Sequence, residues 1–291
     1  MHDSDVLFRF TLQVAAAAVD EALITLWELS PQGFEEHDAG AGDMRFVLYA
    51  EPDEAAALSA ALLTLVDELG MDGGPAQLDE DRIANENWRE AWKVNFTLQR
   101  IGRFVIRPSW IEYTAAPGEH VIHLDPGAAF GSGLHETTRL CLQALEALAA
   151  EPRRFTRVLD FGTGTGILGI AATRLWSCEV LAVDDDPLAL QACQENAERN
   201  DVAARFTLRR ALPPPAPPYD LVLANIQRPV LLEHARALTE RLATAGELVL
   251  SGLLTGDEAA IRAAYEATGC VVRERTQDKD WIALRVGRGV P

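Results

Sequence analysis

The 291-residue chain has four cysteines, Cys141, Cys178, Cys193 and Cys270, with no C-x-x-C pair and no zinc spacing among them. That excludes a disulfide framework and a structural zinc site; the four read as free thiols of a reducing compartment. The opening residues MHDSDVLFRF lack the basic-then-apolar pattern of a signal peptide. No apolar stretch reaches membrane-spanning length, and the alanine run at 15–18 is far too short. A cytoplasmic protein with no membrane partner is the expectation. Positive charge is scarce: 26 Lys and Arg face 44 Asp and Glu, a net −18. Bare nucleic acid is therefore not an expected partner, because phosphate contact needs a basic surface. The charge suits a basic protein partner, which its field would steer; it would also serve solubility alone.

Three chemistries are missing at the letter level. A nucleophile elbow needs G-x-S-x-G, but Phe130 and Leu134 flank Ser132 where glycines should stand. A zincin needs H-E-x-x-H; His135-Glu136 begins it and Arg139 breaks it. The Gly-rich segment around Gly131 has no lysine, which a P-loop requires. No metal is expected.

What is present centres on Arg157 to Gly169, RVLDFGTGTGILG. Val158 to Phe161 read as a buried strand, Gly162, Gly164 and Gly166 as a sharp turn, and the Ala-rich run from Ile167 to Leu175 as a helix. Glycines let backbone turn tightly and lie close to a ligand, and the helix start leaves N–H groups free. The letters also satisfy G-x-G-x-x-G, with Asp184 about 20 residues further on, so NAD stays open. Asp160 tilts the choice. A carboxylate before the turn repels a pyrophosphate and attracts the cationic amino group of a methionine moiety, which favours S-adenosylmethionine.

Around this corner the chain divides into three. Residues 1–84 carry the order β-α-β-β-α-β of a small ferredoxin-like α+β domain. Its strands are expected at Leu7–Val14, Gly33–His37, Arg45–Ala50 and Gln77–Arg82. Its helices are expected at Ala16–Leu29 and Glu54–Leu69, the second capped by Asp53 and Gly70. Its expected use is substrate recognition, against a packing or oligomerisation role. Residues 85–97 read as a connecting helix whose Trp88 and Trp92 share one face. Residues 98–291 read as a Rossmann-like α/β domain. Gly102–Arg107 and His120–Leu124 read as strands, and the loop Asp125–His135 feeds a helix from Glu136 to Leu148. Glu179–Asp184 is the second strand of the nucleotide half. Asp184 at its end can accept both ribose hydroxyls; Asp185 and Asp186 adjoin it, and read otherwise as helix caps before Pro187. Tyr219–Ala224 is a further strand with Asn225 at its C-terminal end, where ligands of parallel sheets bind. A helix follows at Val230–Ala243, a strand at Glu247–Leu250 closed by Ser251-Gly252, and a helix over Ile261–Thr268. Cys270–Thr276 and Trp281–Val286 read as a closing antiparallel hairpin, which a purely parallel dinucleotide fold would not need.

DPGAAFGSGLHETTRLCLQALE, LDFGTGTGILGIAA, AVDDDP, LVLANI and LSGLL follow in an order and spacing that resembles the ribosomal protein L11 methyltransferase family. The A-F-G-x-G-x-H-x-T-T stretch is the most specific element, and the likeness runs from about Trp88 to the C-terminus. It implies a seven-stranded class I methyltransferase sheet and methyl transfer from S-adenosylmethionine to lysine side chains or the α-amine of L11. Thr138, Asp160, Gly162, Gly164, Asp184 and Asn225 are then expected on the cofactor, with Phe130 and His135 as loop residues near the methyl. No residue stands out as a general base. The sequence reads N-I-Q-R-P where many family members carry a small, apolar stretch, so Gln227, Arg228 and Pro229 mark where substrate contacts would differ. Alternatives are a lysine methyltransferase for another protein, an NAD-dependent oxidoreductase and a ribosome-associated binder without activity. The sequence does not give the oligomeric state.

Overall fold

The computed structural model describes residues 6–29, 34–40, 42–50, 52–71, 76–84, 98–124, 135–214 and 218–289. The loop with Phe130 and the segment with Trp88 and Trp92 lie outside the described residues. The chain forms two compact units, Met1–Phe96 and Thr97–Pro291.

In the first unit, β1 (Val6–Val14), β2 (Glu35–Gly40), β3 (Asp43–Ala50) and β4 (Ala76–Ala84) form one sheet in the order β2-β3-β1-β4. All its pairs are antiparallel. Strand periodicity sorts the side chains. Phe10, Leu12 and Val14 of β1 join Phe46 and Leu48 of β3 in one core. That core also takes Ala22 and Leu26 of α1 (Val19–Leu29) and Leu62, Leu65 and Leu69 of α2 (Pro52–Met71). The alternate residues of β1 and β4 are polar, and Arg9 pairs with Asp81 opposite at 2.6 Å. Two expected boundaries shift. Ala16–Ala18 form a 3-10 turn before α1. Helix α2 starts at Pro52, which places Asp53 inside its first turn, and continues through Gly70. Burial of Leu69 holds that last turn in place despite glycine's poor helix propensity.

The second unit carries a seven-stranded sheet in the order β10-β9-β8-β11-β12-β14-β13. Its strands are β8 (Arg157–Phe161), β9 (Glu179–Val183), β10 (Phe206–Arg209), β11 (Tyr219–Asn225), β12 (Leu242–Leu254), β13 (Cys270–Asp278) and β14 (Trp281–Arg288). The first five run parallel, and β14 enters antiparallel between β12 and β13. Alternate residues face opposite layers. Val158, Leu221, Leu223 and Val249 pack with α3 (Glu136–Ala149), α4 (Ile167–Trp176) and α5 (Pro187–Arg199). Leu159, Val222, Ala224, Leu248 and Leu250 pack with α6 (Arg228–Glu240) and α7 (Glu258–Glu266). Sequence order reverses between β8 and β11, the place where open α/β sheets leave a crevice.

A small sheet of β5 (Gln99–Ile101), β6 (Phe104–Arg107) and β7 (His120–His123) packs into the first of these two cores. Gly102, expected to open a strand, sits instead in the β5–β6 turn with φ +55°. Buried Asn200 fastens β7: its Oδ1 accepts from His123 N–H at 2.9 Å, and its Nδ2 donates to the His123 carbonyl at 2.7 Å. The amide thus stands in for a neighbouring strand. Strand β12 does not end at Ser251-Gly252. Its register against β14 shifts between Leu250 and Leu253, and pairing resumes at Leu253 opposite Ile282. Gly252, at φ +80°, makes that irregularity.

Candidate active site

The chain turns at the C-terminal end of β8 through Gly162, Gly164 and Gly166, all at positive φ. Gly162 and Thr163 N–H both donate to the Val183 carbonyl, at 2.8 and 3.0 Å, tying the turn to β9. Gly164 N–H donates to Asp184 Oδ2 at 2.9 Å, and Asp186 N–H donates to Asp184 Oδ1 at 3.1 Å. Each oxygen of Asp184 thus has one fixed donor and keeps capacity for another. Burial raises its carboxyl above the ordinary range. The three neighbouring aspartates separate by role: Asp186 caps α5 through Leu188 N–H at 2.8 Å, ahead of Pro187 at N1, and Asp185 is exposed.

Asp160 is buried and turned into the fold. Its Oδ2 accepts from the Thr163 hydroxyl at 2.8 Å and from Gly169 N–H at 3.1 Å. One carboxylate oxygen therefore clamps the glycine turn to the first turns of α4. Burial pushes its carboxyl up to about 7, against the opposing pull of these two donors. The expectation of Asp160 as a carboxylate for the methionine amino group did not include this clamping role. The signal was available in Thr163, a hydroxyl three residues on.

A second group lies at the ends of β11 and α3. Thr138 is fully buried, and Asn225 Nδ2 donates to its Oγ1 at 3.4 Å. Among the described residues Asn225 Oδ1 is buried without a hydrogen-bond partner. An orphaned amide oxygen is costly in a dry site, so it marks a place built for a donor. His135, expected near the methyl, is the N-cap of α3. Its Nδ1 lies 2.8 Å from Thr137 Oγ1 and accepts from Thr137 N–H at 3.3 Å. Burial lowers its imidazole pKa.

Ile226 joins the two groups. A Cβ on Gly162 would overlap its Cγ2, and a Cβ on Gly252 would come within 2.5 Å of its carbonyl oxygen. The ends of β8, β11 and β12 therefore close on one residue, β8 against its side chain and β12 against its backbone. Sequence reasoning passed over Ile226, because Gly162 and Gly252 are far from it in the chain and meet it only in the fold. The N-I-Q-R-P departure has a local structural use. Arg228, in the first turn of α6, donates to Asp257 Oδ1 at 2.9 Å, and Asp257 Oδ2 accepts from Leu254 N–H at 3.0 Å. The aspartate offsets a cation at the positive end of a helix dipole. Gln227 is an exposed N-cap whose side chain makes no capping bond. Asn225 and Ile226 keep their places beside it.

Comparison with known proteins shows the family. The profile of the ribosomal protein L11 methyltransferase (PrmA) family matches residues 13–288. The ribosomal protein L11 methyltransferase of Chloroflexus aurantiacus is 39% identical over 229 residues, 69% of this chain and 69% of that protein. That of Citrifermentans bemidjiense is 43% identical over 210 residues, covering 69% and 67%. The crystal structure of a ribosomal protein L11 methylase from Lactobacillus delbrueckii subsp. bulgaricus superposes with a TM-score of 0.62 at 30% identity, over 67% of this chain and all of that one. These matches agree with the sheet whose β8 turn, Asp184 and Asn225 are described above: the chain belongs to the ribosomal protein L11 methyltransferase family.

Proposed function

We propose that this chain transfers methyl groups from S-adenosylmethionine to amino groups of ribosomal protein L11, on lysine side chains, the α-amine or both. The observation that carries the reading is Oδ1 of Asn225, buried and unpartnered among the described residues at the end of the strand beside β8. A methyltransferase site needs acceptors for amine N–H groups, and a phosphate-binding site does not. The family match turns the choice between S-adenosylmethionine and NAD the same way. The residues present fit the cofactor. Asp184 offers two anchored carboxylate oxygens for ribose hydroxyls. Gly162 and Gly164 keep the turn clear of side chains, and Thr138 with Asn225 supplies polar atoms across the crevice. Asp160 holds the turn in shape.

Bound S-adenosylmethionine supplies a methyl group activated by its sulfonium. The chain's own residues orient the nucleophile and exclude water. Asn225 Oδ1 accepts an N–H of the incoming neutral amine and aims its lone pair; Thr138 fixes the amide that does so. The amine gives up its proton to solvent before it enters, so a strong base is not required. Positioning and desolvation then account for the rate.

The first unit is assigned to substrate recognition. Its strand order and its β-α-β-β-α-β sequence support a ferredoxin-like fold, and the order of the large sheet supports the class I methyltransferase fold. Residues 1–96 hold 20 of the 44 acidic residues and 5 of the 26 basic ones, so they carry −15 of the net −18. Such a field suits a basic ribosomal protein. The reaction is accordingly assigned to the cytoplasm. Among the described residues no helix is long and apolar enough to cross a membrane.

The test is methyl transfer from radiolabelled S-adenosylmethionine to ribosomal proteins of cells lacking their own such enzyme. One labelled band, identified as L11 by mass spectrometry, is the expected result. Label on another protein would move the substrate. Cofactor binding with no label would support a binder without activity.

A further inference from the structure

The hairpin of β13 and β14 closes the sheet on its antiparallel edge, and backbone pairing runs, past an irregularity between Val272 and Glu274, to Asp278 opposite Trp281. The side chains at its tip go further and reach the first turn of α3. Arg139 Nε and Nη2 both donate to Asp278 Oδ2, at 3.2 and 2.6 Å. Lys279 Nζ donates to Glu136 Oε1 at 2.7 Å. The Trp281 ring meets His135 edge-on, with centroids 4.8 Å apart and planes at 72°. Three tip residues thus hold residues 135, 136 and 139, which bracket Thr138. Thr138 carries the hydroxyl that fixes the Asn225 amide, and that contact, at 3.4 Å, is already at the long end of a hydrogen bond. A small slide of the helix start would break it and release Asn225 Oδ1 from its aim.

These tip contacts are poorly placed to stabilise the fold as a whole. The Lys279 side chain is 72% exposed, and Arg139 and Asp278 are each about one-third exposed. Exposed ion pairs contribute little to global stability. What they do well is fix geometry, because the three contacts come from one rigid turn and act in different directions. We propose that Asp278 and Trp281 are positioning residues for methyl transfer: they hold the first turn of α3, and through Thr138 set the Asn225 amide. The inference rests on Thr138 and Asn225 belonging to the transfer site.

The experiment uses the full chain. Asp278→Asn, Trp281→Leu, the conservative Trp281→Phe and Thr138→Val are each measured for S-adenosylmethionine Kd by calorimetry, for kcat and KM with L11, and for melting temperature. Asp278→Asn combined with Trp281→Leu is expected to lower kcat about tenfold while the melting temperature hardly moves, and Trp281→Phe to keep most of the activity. Adding Asp278→Asn to Thr138→Val is expected to cost little more than Thr138→Val alone, because both act through one contact. Additive losses in that cycle would overturn the proposal. So would unchanged kcat in the doubly substituted tip, or a loss that merely follows melting. Failure of the unsubstituted chain to bind S-adenosylmethionine or to label L11 would overturn the reading of the site and this inference with it. An active parent with an inert tip would sink the inference alone.

Discussion

Asp160 shows how much one side chain's surroundings change its chemistry. At the end of β8 its letter reads as an acid for the cationic end of a ligand; in the fold it is also a buried clamp with two donors on one oxygen. Its carboxyl keeps its proton up to about pH 7, whereas an unfolded chain releases it near ~3.9. Between those values the native state binds more protons than the unfolded one. The contribution of this group to stability is therefore full in acid and is lost as pH rises through that window. Asp160→Asn cannot titrate, and its amide oxygen can still accept from Thr163 and Gly169. Relative to the parent, its melting temperature should climb from pH 4 to pH 7 and level off above; a difference independent of pH would mean that the carboxyl never changes charge there. Asp184 calls for a different test, since its oxygens face the turn at the crevice. Asp184→Ala should cost at least about tenfold in S-adenosylmethionine affinity with the fold intact, as read by calorimetry beside a circular dichroism spectrum. Unchanged affinity would remove Asp184 from the cofactor map. At this scale the sequence makes the placement of Asp184 legible, an acid at the end of the strand that follows the glycine turn. It does not show the clamp made by Asp160, which depends on where Thr163 and Gly169 stand in space.

Elements were legible where their period was strong. The β8 strand, the Cys270–Asp278 and Trp281–Arg288 hairpin and the core helices follow from alternation and apolar stripes. Misreadings fall where tertiary packing overrules a local letter. Gly70 reads as a cap and lies in the last turn of the helix; Gly252 reads as an end and is an irregularity within β12. The second case matters to the site. Gly252 lets β12 pass beneath the Ile226 backbone, and Gly162 makes room for the Ile226 side chain. Gly162→Ala should therefore abolish S-adenosylmethionine binding, and shortening the neighbour with Ile226→Ala should recover part of it, because the overlap is with a side chain. Gly252→Ala should not be recovered by the same change, because there the overlap is with backbone. Binding by both glycine variants at the parent's affinity would show that the three strand ends need not meet on Ile226. The structure adds an element-scale role for His135, which starts a helix and contacts Thr137 and Trp281.

The whole molecule separates its charge from its chemistry. The second unit, with the glycine turn, Asp184 and Asn225, is nearly neutral at −3, while the first carries −15. Composition alone gave the total and could not distinguish acidity kept for solubility from acidity kept for a partner; its confinement to one unit argues for a partner. On the proposed division, with recognition by the first unit and transfer by the second, the two steps have different sensitivities to salt. Long-range attraction between an acidic surface and a basic protein is screened once the Debye length falls below the separation of the charges, from ~14 Å at about 0.05 M to ~4 Å at about 0.5 M. Cofactor binding depends on hydrogen bonds made at contact, which salt screens far less. Across that range the KM for L11 should rise about tenfold, mostly through slower association, while the Kd for S-adenosylmethionine changes by less than about twofold. Steady-state kinetics with L11 at several salt concentrations, beside calorimetry with the cofactor alone, reads both quantities. If the two weaken together, salt is acting on the second unit. If neither moves, the acidity of the first unit has no part in capturing the substrate, and its sheet would have to recognise L11 by shape.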